Sequence, residues 1–304
     1  MRAAPDYLQF YPTFRCNQSC TFCFNRAMPP LPDVTPGNFT IMLGAIKALG
    51  VGTLDILGGE PTLHPDIVAF VRAAAESGLR VNISSNGTRP GVLEAVMKTG
   101  GDITVGLSVN DGETRRRLSG FIQRTRPVVK SVFWPGMDPK LISEILALGP
   151  KKFYLIYRDS LDRQGLSDAG SFDRFLSTVE RLFSLPQIGT VYCSGFLPDV
   201  KEYPELAHAR CPAGTTKLGI MPDGSVYPCN LFFGKKEFLL GNILTDPFKS
   251  IWNHEALDFF RSFVHNTCPR TTCALHARCH GGCPAHSFAH AGTPAAPDPR
   301  CVGG

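Results

Sequence analysis

Residues 12–26 read PTFRCNQSCTFCFNR, with Cys16, Cys20 and Cys23 in a C-x3-C-x2-C spacing. In a reducing compartment, cysteines this closely spaced read as metal ligands rather than as disulfide partners. A closed zinc or ferredoxin-type site takes four protein ligands, so a set of three leaves one coordination position open. The strand-like run YLQFYPT stands just before the cluster, which puts the thiols at the carboxyl end of a first strand.

The pattern repeats outward from there. Strand-like runs follow at TLDILG, RVNISSN, DITVGLS, VVKSVFW and KKFYLIY, at intervals of about 20 to 50 residues. Helical periodicity lies between them, for example from Pro65 to Ser77 and from Lys140 to Leu148, and Gly50, Gly78 and Gly149 stand where helix C-terminal caps belong. Six alternating strand–helix units predict an α/β fold with a parallel sheet and helices outside it, either an open sheet or a partial barrel. In both, functional groups gather at the carboxyl ends of the strands. The motifs obey that rule: LGGEP (Leu57 to Pro61) ends strand two, SSNGT (Ser84 to Thr88) ends strand three, and LSVND (Leu107 to Asp111) ends strand four. Each is a common turn sequence taken singly. Their ordered recurrence carries the signal.

Composition narrows the function classes. The 304 residues are 43% hydrophobic and 19% charged, as in a globular protein of one large domain or two smaller ones. A net charge of +5, with Lys and Arg scattered, does not point to nucleic acid, and the triplet Arg115-Arg116-Arg117 reads as a solvated helix face. No apolar run reaches the length of a membrane span, and the N-terminus has no signal-peptide pattern, so a cytoplasmic protein is expected. Beyond the first three cysteines, Cys193 stands alone and seven more crowd the last third of the chain.

C-x3-C-x2-C after a first strand and GGEP after a second resemble the radical SAM superfamily, over roughly residues 7 to 195. The resemblance implies a partial (β/α)6 barrel whose Cys16, Cys20 and Cys23 hold three irons of a 4Fe-4S cluster. S-adenosylmethionine (SAM) fills the open iron, and its reductive cleavage releases a 5′-deoxyadenosyl radical that abstracts substrate hydrogen. By the same resemblance Gly58 and Gly59 let the methionine portion of SAM approach the backbone, and Glu60 accepts from its ammonium group. Phe22 belongs to the adenine region. Ser84, Asn86 and Ser108 match positions that bond the carboxylate or ribose. Strand alternation points only one of Ser84 and Ser85 inward, and the register leaves the choice open. Arg158, ending strand six, faces either the same rim or solvent.

The last third reads Cys211-x12-Gly224-x4-Cys229, then Cys268-x4-Cys273-x5-Cys279-x3-Cys283 and finally Cys301. Within PDGSVYPC, Asp223-Gly224 supplies a hairpin turn. This order is similar to the SPASM domain, an extension of radical SAM enzymes that holds two auxiliary 4Fe-4S clusters, and it assigns residues 196–304 to that domain and 1–195 to the core. The family's pattern has C-x2-C where this chain has Cys268-x4-Cys273, so which thiols ligate there stays open. The implied ligands are Cys211, Cys229 and Cys283 for the nearer cluster, whose fourth position is either the upstream Cys193, the favoured reading, or an iron left open for substrate. Cys268, Cys273, Cys279 and Cys301 would hold the outer one. The pairs His276/His280 and His286/His290 have a spacing common at zinc sites. With enough thiolates present, the histidines are expected beside the clusters or at the surface.

The implied chemistry is hydrogen abstraction followed by loss of one more electron to an auxiliary cluster, with an external one-electron donor such as flavodoxin or ferredoxin. Oxidative modification of a peptide or protein side chain is the leading expectation. Dehydrogenation or epimerisation of a small molecule such as a sugar or cyclitol is the alternative, and a non-catalytic iron–sulfur carrier is a third that GGEP speaks against. Strand one begins near residue 7, which leaves this chain no N-terminal peptide-recognition domain. The expectation is that a separate protein presents the peptide or that the substrate is small.

Overall fold

All six strand-forming runs become strands. In the computed structural model, which describes residues 4–28, 30–182, 188–191, 200–263 and 265–302, they are β1 (Tyr7–Phe10), β2 (Thr53–Ile56), β3 (Arg80–Ser85), β4 (Ile103–Ser108), β5 (Val128–Phe133) and β6 (Lys152–Tyr157). Four more follow, β7 (Ile188–Val191), β8 (Lys217–Ile220), β9 (Ser225–Tyr227) and β10 (Gly241–Asn242). Single helices alternate with the first six strands: α1 (Pro36–Ala48), α2 (Ile67–Glu76), α3 (Pro90–Met97), α4 (Gly112–Thr125) and α5 (Pro139–Leu146). Two helices, α6 (Arg163–Ala169) and α7 (Phe172–Leu182), follow β6.

Local chemistry sets the helix ends. Thr35 caps α1 by accepting from the Asn38 N–H at 3.2 Å, with Pro36 in the first turn. Asp111 caps α4 through the Thr114 N–H at 2.7 Å, and Asp138 caps α5 through the Lys140 N–H at 2.9 Å. Gly50, Gly78 and Gly149 take φ of +70°, +85° and +71° just past their helices, as left-handed caps require.

The chain divides into two compact units, Met1–Cys20 with Asn25–Val105 and Pro212–Ser262, and Thr21–Phe24 with Gly106–Cys211 and Phe263–Gly304. Each draws on both sides of residue 195, because compactness and motif order follow different divisions of the chain. In the first unit β8, β1, β2 and β3 run parallel, with Tyr7 opposite both Lys217 and Thr53, and Thr53 opposite Arg80. β9 then pairs antiparallel with β8, and β10 with β9. Leu8, Phe10, Leu54, Ile56, Val81 and Ile83 are buried in the sheet, and Phe39 of α1 stacks on Phe70 of α2 with ring centroids 4.1 Å apart. Each such ring contributes about 1.5–3 kcal/mol by leaving water. In the second unit the end of β4 pairs with β5, β5 with β6 and β6 with β7, all parallel. Phe133, Tyr157, Phe172 and Phe175 form its aromatic core.

The parallel pairing of β8 with β1 carries no signal in the sequence. Residues 217–220, KLGI, are too short for a periodic signal, yet Leu218 and Ile220 are fully buried and extend the parallel sheet beyond β1. The hairpin at Asp223-Gly224 forms as expected, with Gly224 at φ +86°.

Candidate active site

The Cys16–Cys23 loop leaves the carboxyl end of β1 and is braced from below. The Thr13 hydroxyl donates to Asp33 at 2.6 Å, and the Arg15 guanidinium grips the same carboxylate while donating to the Leu63 carbonyl at 3.0 Å. Burial pushes the Asp33 carboxyl up, but the hydrogen bonds from Arg15 and Thr13 prevail and hold it below the usual carboxylate value. Cys16 is exposed, and Cys20 and Cys23 are half-buried.

Gly58 and Gly59 are required by the loop itself. The Gly59 N–H donates to the Thr13 carbonyl at 3.0 Å and the Glu60 N–H to the Arg15 carbonyl at 2.8 Å, which carries strand-like pairing past the end of β1. A Cβ on Gly58 would stand 2.6 Å from the Thr13 oxygen, and one on Gly59 would stand 2.2 Å from that of Arg15. The sequence analysis attributes these glycines to the approach of SAM; in the structure the nearer constraint is backbone against backbone. Gly59→Ala is expected to push the cysteine loop off β2, costing about 1–3 kcal/mol, and to weaken SAM binding at least tenfold by equilibrium dialysis. A Gly91→Ala control, where a Cβ meets nothing within 4 Å, should bind as wild type.

Glu60 is 1% exposed, and its carboxylate ties two strand ends together. Oε1 accepts from the Thr62 N–H (3.1 Å), the Thr62 hydroxyl (2.5 Å) and the Ser85 hydroxyl (2.8 Å), and Oε2 accepts from the Asn86 N–H at 2.7 Å. Ser85 is therefore the serine that faces Glu60, and Ser84 is half-buried beside it on β3. Strand alternation directs the two side chains to opposite faces. Among the described residues no Lys, Arg or His pairs with Glu60. A buried carboxylate held by four dipoles and lacking a cation suits an incoming ammonium group.

Asn86 turns toward the cysteine loop. Its Nδ2 donates to Asn17 Oδ1 at 2.9 Å, its Oδ1 accepts from the Thr88 N–H at 3.0 Å, and Asn17 Nδ2 donates to the Thr88 hydroxyl at 2.9 Å. This ring fastens the residue after Cys16 to the end of β3. Asn17 and Thr62 carry no sequence signal of their own, because single polar residues in loops are unremarkable until their partners are known.

Phe22 and Cys23 belong to the second unit, as does Ser108, half-buried at the end of β4. Arg158 is 7% exposed, and its Nη2 reaches the Thr21 carbonyl at 3.4 Å and Asp168 at 3.3 Å. Arg158 is thus a buried, bonded arginine and not a surface one.

The C-terminal thiols are set deep. Cys211, Cys229, Cys268, Cys279 and Cys283 are buried, and Cys273 and Cys301 half-buried. Cys229 sits in the first unit, where the following Asn230 takes hydrogen bonds to Gln9 (3.1 Å) and Tyr11 (2.9 Å). In the second unit, burial pushes the Cys279 thiol up, and the charges of Cys268 and Cys273 push it further. Burial likewise raises Cys301, to about 11, with Cys268 adding to the rise against the pull of Arg270. Cys279 thus lies close to Cys268 and Cys273, and Cys301 close to Cys268. One zinc ion would hold four sulfurs at about 3.8 Å from one another by Zn–S geometry. Among the described residues, no three His, Cys, Asp or Glu side chains converge on a single-ion site. Thiols are the donor type that an iron–sulfur cluster takes. Cys193 lies outside the described residues.

The four histidines bond backbone. His280 Nδ1 donates to the Ala209 carbonyl at 2.7 Å, His290 donates to the Ser160 carbonyl at 2.7 Å, and His286 Nε2 accepts from the Ser160 N–H at 2.9 Å. His276 Nε2 lies 3.3 Å from the Cys268 carbonyl. His286 and His290 share a helix, α8 (Pro284–Ala291), while His276 and His280 bracket a separate short turn.

Residues 10–132 match the radical SAM superfamily, and residues 211–284 match the SPASM iron–sulfur cluster-binding domain. The chain is a radical SAM enzyme. Its SPASM match covers six of the C-terminal cysteines, and the enzyme uses iron–sulfur chemistry with SAM. It is 26% identical to the antilisterial bacteriocin subtilosin biosynthesis protein AlbA of Bacillus subtilis, over 92% of this chain and 67% of that protein. It is 23% identical to the AdoMet-dependent heme synthase of Methanosarcina barkeri, over 99% and 97%. To the PqqA peptide cyclase of Methylobacterium nodulans it is 27% identical, over 95% and 84%. Among solved structures, Streptococcus suis SuiB bound to its precursor peptide SuiA superposes with a TM-score of 0.77 at 20% identity, covering 97% of this chain and 75% of SuiB. That likeness identifies the fold as the partial barrel with a SPASM extension. Among the described residues no helix is long and apolar enough to cross a membrane.

Proposed function

We propose that this enzyme oxidises a side chain of a peptide or protein substrate by two electrons, with three 4Fe-4S clusters in place. The observation that carries the reading is the thiol arrangement: an exposed-to-half-buried trio at the strand rim and a buried C-terminal set, Cys268, Cys273, Cys279 and Cys301. Peptide substrates are supported by the names of the relatives, since AlbA, the PqqA cyclase and SuiB all concern peptide products.

When bound, the first cluster and SAM supply a 5′-deoxyadenosyl radical that takes a hydrogen atom from the substrate. The chain's own contribution is placement. Cys16, Cys20 and Cys23 hold the first cluster, and Glu60 receives the SAM ammonium without losing its grip on β3. Arg158 steadies the loop carbonyl beside Phe22 and Cys23. Cys211, Cys229 and Cys283 hold the nearer auxiliary cluster with Cys193 as fourth ligand, and an external flavodoxin or ferredoxin serves as electron partner. A separate protein presents the peptide.

Anaerobically reconstituted enzyme is expected to carry about twelve irons per chain. Iron near four with zinc in the C-terminal region would overturn the cluster assignment. Incubated with SAM, reductant and candidate precursor peptides, the enzyme should lower the mass of one of them by two hydrogens per 5′-deoxyadenosine formed. Turnover of a sugar or cyclitol, with no peptide changed, would replace peptide modification by small-molecule dehydrogenation.

A further inference from the structure

The spacer between Cys268 and Cys273, Pro269-Arg270-Thr271-Thr272, is two residues longer than the SPASM pattern provides. It folds into a tight turn, with the Thr271 N–H on the Pro269 carbonyl at 3.0 Å and the Cys273 N–H on the Arg270 carbonyl at 3.1 Å. The arginine it carries reaches the far end of the domain. Arg270 Nη1 donates to the Cys301 carbonyl at 3.2 Å and to the Cys301 sulfur at 3.4 Å, and Nη2 donates to Asp173 of α7 at 2.8 Å. The planar guanidinium is therefore fixed on both sides, with its orientation toward sulfur determined rather than free. Asp173 and Cys301 both hold it in the protonated form.

Resting on the assignment of Cys301 to the outer auxiliary cluster, we infer that Arg270 is a positioning residue that raises the reduction potential of that cluster. It does so through an N–H···S hydrogen bond and a fixed positive charge at the Cys301 sulfur. Reduction adds one negative charge to a cluster, part of which resides on its cysteine sulfurs. A donor and a cation at one sulfur stabilise the reduced state more than the oxidised one. Arg270 is partly exposed, so solvent weakens its charge and the short-range N–H···S bond supplies most of the effect. In the proposed reaction the substrate radical gives up one electron and one proton, and an external one-electron carrier protein receives the electron. A higher outer potential favours the first part of that path, transfer of the electron from the substrate radical onto the cluster. The longer spacer is thus a device for placing an arginine, and the remaining ligand spacings are unaltered.

The test is an EPR-monitored potentiometric titration of the full-length reconstituted enzyme and its Arg270→Met variant. With iron content unchanged, the reduction equilibrium of one auxiliary cluster is expected to shift at least tenfold toward the oxidised state, about 59 mV for one electron. The SAM-binding and nearer clusters should hold their potentials. Arg270→Lys keeps a charge but cannot span sulfur, carbonyl and Asp173 together, and should shift the same cluster by an intermediate amount. If Arg270→Met sheds the cluster, Arg270→Leu, which likewise removes both the N–H donor and the charge, carries the same titration. Three retained clusters with no potential moved tenfold would overturn the inference. Fewer than three clusters in the wild type would instead overturn the assignment beneath it.

Discussion

With Cys16, Cys20 and Cys23 all replaced by alanine, the enzyme is expected to release no 5′-deoxyadenosine from SAM while the EPR signals of its C-terminal clusters persist. The loss is complete because the open iron that receives SAM is held by these three thiolates. The C-terminal thiols arise from other segments of the chain and keep their own ligands. Anaerobic liquid chromatography of the reaction, beside an EPR spectrum of the same sample, measures both halves. SAM cleavage at the wild-type rate would remove the proposed active site. The reciprocal variant, Cys279→Ala, should still form some 5′-deoxyadenosine but give little or no product, because the radical step is intact and the electron exit is not.

The second large effect is on stability. Asp298→Ala is expected to destabilise the second unit by about 3–5 kcal/mol, the cost of stranding one member of a buried ion pair. Asp298 is 1% exposed; it accepts from Arg300 Nη2 at 2.7 Å and from the Cys283 N–H at 3.0 Å. Arg300, fully buried, in turn donates to the Arg158 carbonyl at 3.1 Å and lies over the Tyr157 ring at 4.9 Å. Losing Asp298 thus strands a guanidinium and releases the backbone of a proposed cluster ligand. Denaturant midpoints for the wild type and for Asp298→Ala and Asp298→Asn measure the cost, and unchanged midpoints would refute it. Burial alone would raise the Asp298 carboxyl, but Arg300, His286 and the hydrogen bonds prevail and hold it below its usual value. A carboxyl lowered on folding stabilises the fold fully above its unfolded pKa of about 3.9. That contribution is lost as pH falls through the lower folded value. The wild type should therefore lose stability more steeply than Asp298→Asn below about pH 4.

Much of this protein was legible in one dimension. The first six strands were visible because each is a short β-rich run bounded by turn residues and separated by a helical period. The left-handed glycines use only neighbours within a few positions, so Gly50, Gly78 and Gly149 could be placed locally. The three-cysteine spacing and the GGEP motif named the chemistry because a ligand count and a backbone demand are properties of sequence. What a strand's register does is not local. Ser84 and Ser85 are neighbours in the chain, and only the partner at Glu60 distinguishes them. Arg158 could equally have faced water until Thr21 and Asp168 were seen beside it.

The sequence by itself therefore determined the alternation of strands and helices, the thiols available to hold iron, and the rim on which they stand. The tertiary structure decided why Gly58 and Gly59 are glycine, since only the packed chain brings the carbonyls of Thr13 and Arg15 within reach of a missing Cβ. It also decided that KLGI pairs with β1, that Glu60 ties two strand ends, and that Arg270 meets Cys301 across 31 residues. Contacts between segments far apart in the chain depend on the cooperative packing of many side chains, and no window of sequence contains that information.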